Sequence, residues 1–200
     1  MRWEKTLSLF PKYPTKSYKL FDEIVVAYED KHRVYHSTDH LLHVFATLDM
    51  FFHDEEFQLE IELALWYHDF VYVIGSQHNE KKSANIAGDR LCGLLPHTLH
   101  VEQFILKTQH AYEPTDRPSK IVADVDLAIL GESPEIYEHY EQAVRKEYAM
   151  FHDYAYNRGR RQVLLDFYNR PKIFHTQEMI NFGYEDRARI NLARVLGKAA

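Results

Sequence analysis

The chain has 200 residues, with 30 acidic against 24 basic side chains and a formal net charge of -6. That length suits one domain, residues 1–200, with a substantial core. The acid excess disfavours polymeric nucleic acid as a partner, which needs a basic surface to release counterions, but it leaves room for a small anionic substrate held by a few cations and a metal.

Apolar periodicity is helical almost throughout. From Tyr18 to Glu29, Phe21, Ile24, Val25 and Tyr28 mark one face of a helix. Thr38 to Phe52 repeats the pattern with Leu41, Val44, Phe45 and Leu48, after Ser37 or Thr38 as N-cap. Glu55 to His68 is a third helix, with Leu59, Leu63, Trp66 and Tyr67 inward, and Phe70 to Ile74 reads as a loop ended by Gly75-Ser76. Asn79 to Leu95, stopped near Pro96, and His97 to Ala111 follow. Asp116-Arg117-Pro118 opens a helix predicted to reach Leu130, with Gly131 at its C-cap. Ser133-Pro134-Glu135 opens another, to about Phe151, and helices near Arg160–Tyr168 and Asp186–Leu196 close the chain. There is no strand pattern, repeat or low-complexity linker, so an all-α bundle is predicted.

The one cysteine, Cys92, excludes an internal disulfide and a thiolate cluster, and its apolar surroundings predict a small core residue. No apolar run reaches the roughly 18 residues of a membrane span. Met1-Arg2-Trp3-Glu4-Lys5 lacks the apolar segment of a signal peptide. A cytoplasmic protein, with no membrane partner, is expected.

With 13 histidines, short His motifs arise by chance, so context must sort them. Of three His-Asp pairs, His53-Asp54 runs into Glu55-Glu56 and reads as solvated, while His152-Asp153 reads as structural. His68-Asp69 ends the apolar run Leu63-Ala64-Leu65-Trp66-Tyr67, where two ionisable groups cost several kcal/mol unless paired or bound to a metal. Adjacent helix residues point about 100° apart, so both can face one ion only where the helix unwinds, before Phe70. His36 and His40 straddle the N-cap of the preceding helix, which suits His40 to a fixed ligand and His36 to proton exchange. In Asp124-Val125-Asp126 at most one carboxylate faces such a site; Asp126 is assigned to the metal, and Asp124 either braces a ligand or lies on a solvated face.

His40, His68-Asp69 and Asp126 together resemble the ligand set of the HD-domain superfamily of metal-dependent phosphohydrolases, and in particular its predicted metal-dependent HD phosphohydrolase proteins. The segments Arg33-Val34-Tyr35-His36, Trp66-Tyr67-His68-Asp69, Asn79-Glu80-x-x-Ser83-Ala84, Asp124 to Gly131, Arg145-Lys146-Glu147-Tyr148 and Arg189-Ile190-Asn191-Leu192 carry the resemblance over most of the chain. Tyr35-His36-x-x-x-His40 is also similar to the opening motif of cyclic-nucleotide phosphodiesterases, which implies His36 as general acid and His40 as ligand. That motif has a further histidine three residues after its His-Asp pair, where this chain has Tyr72.

The expected cofactor is a divalent ion (Mn, Fe, Co, Ni, Zn or Mg), since mixed imidazole and carboxylate ligands do not single out one metal. The expected reaction is hydrolysis of a small phosphate ester, nucleotide-like, by metal-activated water, with Asp69 or Asp126 accepting a proton and His36 protonating the leaving oxygen. Arg33, Lys107, His110 and Arg145 are candidate substrate holders, and Tyr72, Glu80 and Asp124 candidate braces for the ligands; His110 also reads as an ordinary helix-end histidine. Two rivals are a di-iron oxygenase recruiting His36, His78 and His110, and a non-catalytic module that senses a nucleotide.

Overall fold

The computed structural model describes residues 2–10, 14–95 and 97–198. In chain order the helices are α1 (Arg2–Ser8), α2 (Pro14–Tyr28), α3 (Thr38–Phe51), α4 (Gln58–Tyr67), α5 (Asn79–Leu91), α6 (Thr98–Lys107) and α7 (Arg117–Asp126). A 3₁₀ turn (Leu127–Gly131) leads to α8 (Pro134–Glu147), α9 (Asp153–Tyr168), α10 (Gln177–Asn181) and α11 (Tyr184–Leu196), and no strand occurs among the described residues. None of these helices is long and apolar enough to cross a membrane.

The most apolar segment forms the centre. Every residue of α4 from Glu60 to Tyr67 is buried, as a helix packed on all sides must be. α3, α6 and α7 pack around it, with α5 on α6, and α1 packs against it as well. The buried Glu62 carboxylate on α4 is satisfied by α1: Thr6 Oγ1 donates to it at 2.5 Å and Arg2 pairs with it at 2.9 Å. Trp66 Nε1 donates in turn to Thr6 Oγ1 at 3.1 Å. Polar starts are built as their sequences require. Ser37 caps α3 through Asp39 N–H, Asp116 caps α7 through Ser119 N–H, and Ser133 caps α8 through Ile136 N–H.

Several elements depart from the periodicity. α1 and α10, of seven and five residues, are too short to show a period and hold through tertiary contacts. α9 begins at Asp153, not Arg160, because its exposed Tyr- and Asn-rich first turns show no apolar face. α5 ends at Leu91; Pro96, the expected stop, lies outside the described residues. Cys92, just past that end, is exposed and no core residue.

The helix predicted to run from Asp116 to Leu130 is α-helical only to Asp126. Beyond it the 3₁₀ turn is held from α11, where Asn191 Nδ2 donates to the carbonyls of Leu130 and Glu132 at 2.9 Å each and Arg187 Nε to that of Gly131 at 2.6 Å. Gly131 is accordingly no left-handed cap. It is buried where a Cβ would lie 2.5 Å from Tyr184 Cδ1 and 2.8 Å from the Tyr184 carbonyl oxygen. Gly131→Ala should cost about 2–3 kcal/mol of stability. Gly159→Ala, on an exposed helix with nothing within 4 Å, should gain about 0.5–1 kcal/mol. Urea midpoints of the two variants check the pair.

Candidate metal centre

Three helix ends meet at the site. His68 and Asp69 follow the last residue of α4, where a tight bond from Phe70 N–H to the Tyr67 carbonyl (3.0 Å) ends the α-helical pattern. His40 stands in the first turn of α3, and Asp126 is the last residue of α7. His40, His68 and Asp69 each offer a ligand atom, all within 4.8 Å of one another. His40 Nε2 lies 3.0 Å from His68 Nε2, and Asp69 Oδ2 lies 3.2 Å from His68 Nε2 and 3.8 Å from His40 Nε2. Asp126 Oδ1 joins them at 3.3 Å from His40 Nε2 and 3.4 Å from His68 Nε2.

This donor set fits a cation. His68 Nδ1–H donates to the Leu65 carbonyl at 2.8 Å, so in the neutral ring its Nε2 presents a lone pair. That lone pair faces a second imidazole nitrogen and two carboxylate oxygens, an arrangement that only protons or a metal ion can hold together. Both imidazoles are buried, His68 with 1% and His40 with 2% of the side chain exposed. His40 Nδ1 has no hydrogen-bond partner, so nothing fixes that ring from behind as Leu65 fixes His68. A buried His40/His68/Asp69 cluster that could chelate a divalent ion is therefore present, with the Asp126 carboxylate beside both imidazoles.

The electrostatics agree with the geometry. Burial alone would raise the Asp69 and Asp126 carboxyls, but the His68 imidazole beside them outweighs it and holds both well below the usual carboxylate range. Burial lowers His40. It works the same way on His68, yet the Tyr28 hydroxyl and the two facing carboxylates raise that ring well above the ordinary imidazole value.

His36 stands beside this cluster. Its Nδ1 is 2.7 Å from Glu147 Oε2, which also accepts from the Tyr72 hydroxyl at 3.0 Å. Glu147 Oε1 accepts the backbone N–H groups of Val34, Tyr35 and His36 at 3.0–3.2 Å. Burial would raise Glu147, but its bond to His36 lowers it, so it stands ionised with its side chain 0% exposed. Tyr72 stacks on His36 with centroids 4.1 Å apart and is held as a brace, off the metal cluster. His36 Nε2 has no hydrogen-bond partner among the described residues, and the ring lines a cavity of about 310 Å³ shared with His40, Asp69 and Asp126.

The remaining candidates scatter. Arg33 is a backbone clamp: its guanidinium donates to the carbonyls of His36, Asp69 and Phe70, tying the loop before α3 to the end of α4. Arg145 binds Asp153 and the carbonyls of Tyr148 and Phe151, and lines neither this cavity nor its neighbour. Lys107 lines a different cavity. Glu80 lines the site cavity with no polar partner among the described residues. His110 Nε2 is 2.9 Å from Asp126 Oδ2; the residue has φ +52°, a left-handed conformation just past α6 that a non-glycine residue adopts at a cost. Asp124 is 0% exposed, which excludes a solvated face, and it accepts from the N–H groups of His175 and Thr176 and the Thr176 hydroxyl. Burial pushes its pKa up to about 6 against those donors.

Spacing alone missed Glu147, Tyr28, whose hydroxyl accepts the Asp69 N–H at 3.2 Å, and Tyr35, packed between His36 and His40. One signal for Glu147 was available: a carboxylate as the last residue of a helix opposes the helix dipole and needs a partner elsewhere. No family model, curated protein or solved structure matches the chain.

Two outcomes are expected. Mn²⁺ or Zn²⁺ added at 100 times its Kd to chelator-treated protein should stabilise the fold by about 2.7 kcal/mol in a thermal melt, and His68→Ala should erase that gain. Asp124→Asn sets an amide N–H₂ against three donors and should cost about 2–3 kcal/mol by urea unfolding, with the metal-induced gain retained.

Proposed function

We propose that the chain is a metal-dependent phosphohydrolase of the HD-domain type, one domain over residues 1–200, cleaving a small phosphate ester. One observation carries this reading: two imidazoles and two carboxylates converge on a common point while a separately braced histidine opens onto the same cavity. His40, His68, Asp69 and Asp126 would hold the ion. When bound, a divalent cation supplies Lewis acidity toward a phosphoryl oxygen and lowers the pKa of water beside it.

The chain's own groups do the rest. Glu147 accepts the Nδ1 proton of His36 and, with Tyr72 stacked on the ring, fixes Nε2 as the nitrogen that hands a proton to the leaving oxygen. Asp69 or Asp126 accepts the proton released by the attacking water. Arg33 keeps the His36 loop and the His68-Asp69 turn in register, so the acid and the ligands move as one unit.

The size of the space supports a small substrate. A second cavity of about 600 Å³ shares His36, Tyr72, Asn79, Glu80 and Tyr140 with the first, and both lie in the range of small-molecule sites. Tyr148, Phe151 and Tyr156 line the second cavity but not the first, which favours a planar group such as a nucleoside on the ester. The acid excess supports the further expectation that the chain binds no polymeric nucleic acid.

Phosphate release from a panel of nucleotides should require Mn, Fe, Co, Ni, Zn or Mg and stop on chelation. Asp69→Ala should lose metal and turnover together. His36→Ala should keep the metal while kcat falls by about 10²–10⁴-fold, and Glu147→Gln should lose about 10–100-fold with the metal retained. Turnover that survives exhaustive chelation, or metal lost in His36→Ala, would contradict these roles.

A further inference from the structure

A cavity of about 350 Å³ lies across His110 from the metal cluster, and its lining is cationic. Lys107, Arg170 and Lys172 face it with one carboxylate, Glu113, whose side chain is 75% exposed. In a chain of net charge -6 this is a local reversal of sign. Among the described residues no carboxylate within 4 Å pairs with any of the three cations; the only acceptor of Arg170 is the His110 carbonyl, at 2.6 Å. Arg170 is half-buried, and burial lowers its pKa with only Asp166 opposing. A guanidinium taken partly out of water with no counter-charge is costly unless something anionic completes it. His175 also lines the cavity with a buried Nδ1 that lacks a hydrogen-bond partner, the nearest carboxylate oxygen, of Glu113, being 3.8 Å away. Burial lowers its pKa against the opposing Glu113 carboxylate, and His110, Lys120 and Arg170 add to the lowering.

We propose that this cavity is a second binding site, separate from the metal cluster, for a small oxyanion of the phosphate class, held by Arg170, Lys107 and Lys172. The planar guanidinium of Arg170, fixed on one side by the His110 carbonyl and stacked on Phe167 at 4.3 Å, is pre-oriented to grip an oxyanion, while the two lysines contribute charge from the rim. Its observations do not depend on the phosphohydrolase reading. Free phosphate and the phosphoryl groups of a larger molecule share this chemistry.

Calorimetric titration of the full chain with inorganic phosphate and with pyrophosphate, at fixed ionic strength, tests it. One-site binding should persist in Asp69→Ala, where the metal cluster is broken, and weaken at least tenfold in the Lys107→Glu/Lys172→Glu double variant. Tighter pyrophosphate binding supports a diphosphate-bearing ligand; equal binding supports a single phosphoryl group. If the double variant does not fold, Lys172→Glu alone, at an exposed residue without polar contacts, should still weaken binding. No binding of either anion, binding matched by chloride, binding lost in Asp69→Ala, or binding unchanged by the charge reversals each overturns the proposal.

Discussion

Two imidazole nitrogens lie 3.0 Å apart in the interior of this protein, each with oxygens of Asp69 and Asp126 at 3.2–3.8 Å, and the rest of the site is arranged around that crowding. Burying each ionised group costs several kcal/mol, which mutual attraction recovers only when geometry is good and every lone pair is satisfied. Leu65, His110 and the Tyr28 hydroxyl satisfy the periphery except at His40 Nδ1, which has no partner. A positive charge shared among these donors would satisfy the centre. A divalent ion is the natural bearer of that charge, and protons on the imidazoles are the substitute when it is missing.

The donors reach the centre because each stands at a helix end. Asp126 sits where α7 tightens into a 3₁₀ turn, and α11 holds that turn by its carbonyls. His68 and Asp69 occupy the unwinding end of α4, which lets two adjacent side chains face one point. Arg33 binds the carbonyls at that end and at His36, so α3 and α4 are locked together next to the chemistry. Glu147 does the same from α8 by gathering three backbone N–H groups and the His36 ring. His36 and the metal cluster thus share a frame of charge-assisted hydrogen bonds, stronger than neutral ones.

The all-helical fold and the long amphipathic helices were legible because burial of one face leaves a 3.6-residue period, as at Leu41, Val44, Phe45 and Leu48. The short α1 and α10, and the polar first half of α9, leave no such trace. At the site, His68-Asp69 stood out because ionisable residues end an apolar run. Gly131 was misjudged as a cap because sequence carries no record of the close approach of Tyr184. Arg33 and Arg145 looked alike in sequence, yet one clamps backbone carbonyls at the cluster and the other pairs with Asp153 away from it. Long-range partners, such as Glu147 for His36, depend on contacts 111 residues apart that local spacing does not encode.

The proposed metal centre holds one divalent ion among His40, His68, Asp69 and Asp126. Anomalous diffraction from crystals soaked in Mn²⁺ locates that ion. A single strong peak per chain is expected within coordinating distance of both imidazole Nε2 atoms, absent from crystals of the His68→Ala variant. A peak held by other residues, or none at a metal concentration that supports turnover, would contradict that placement.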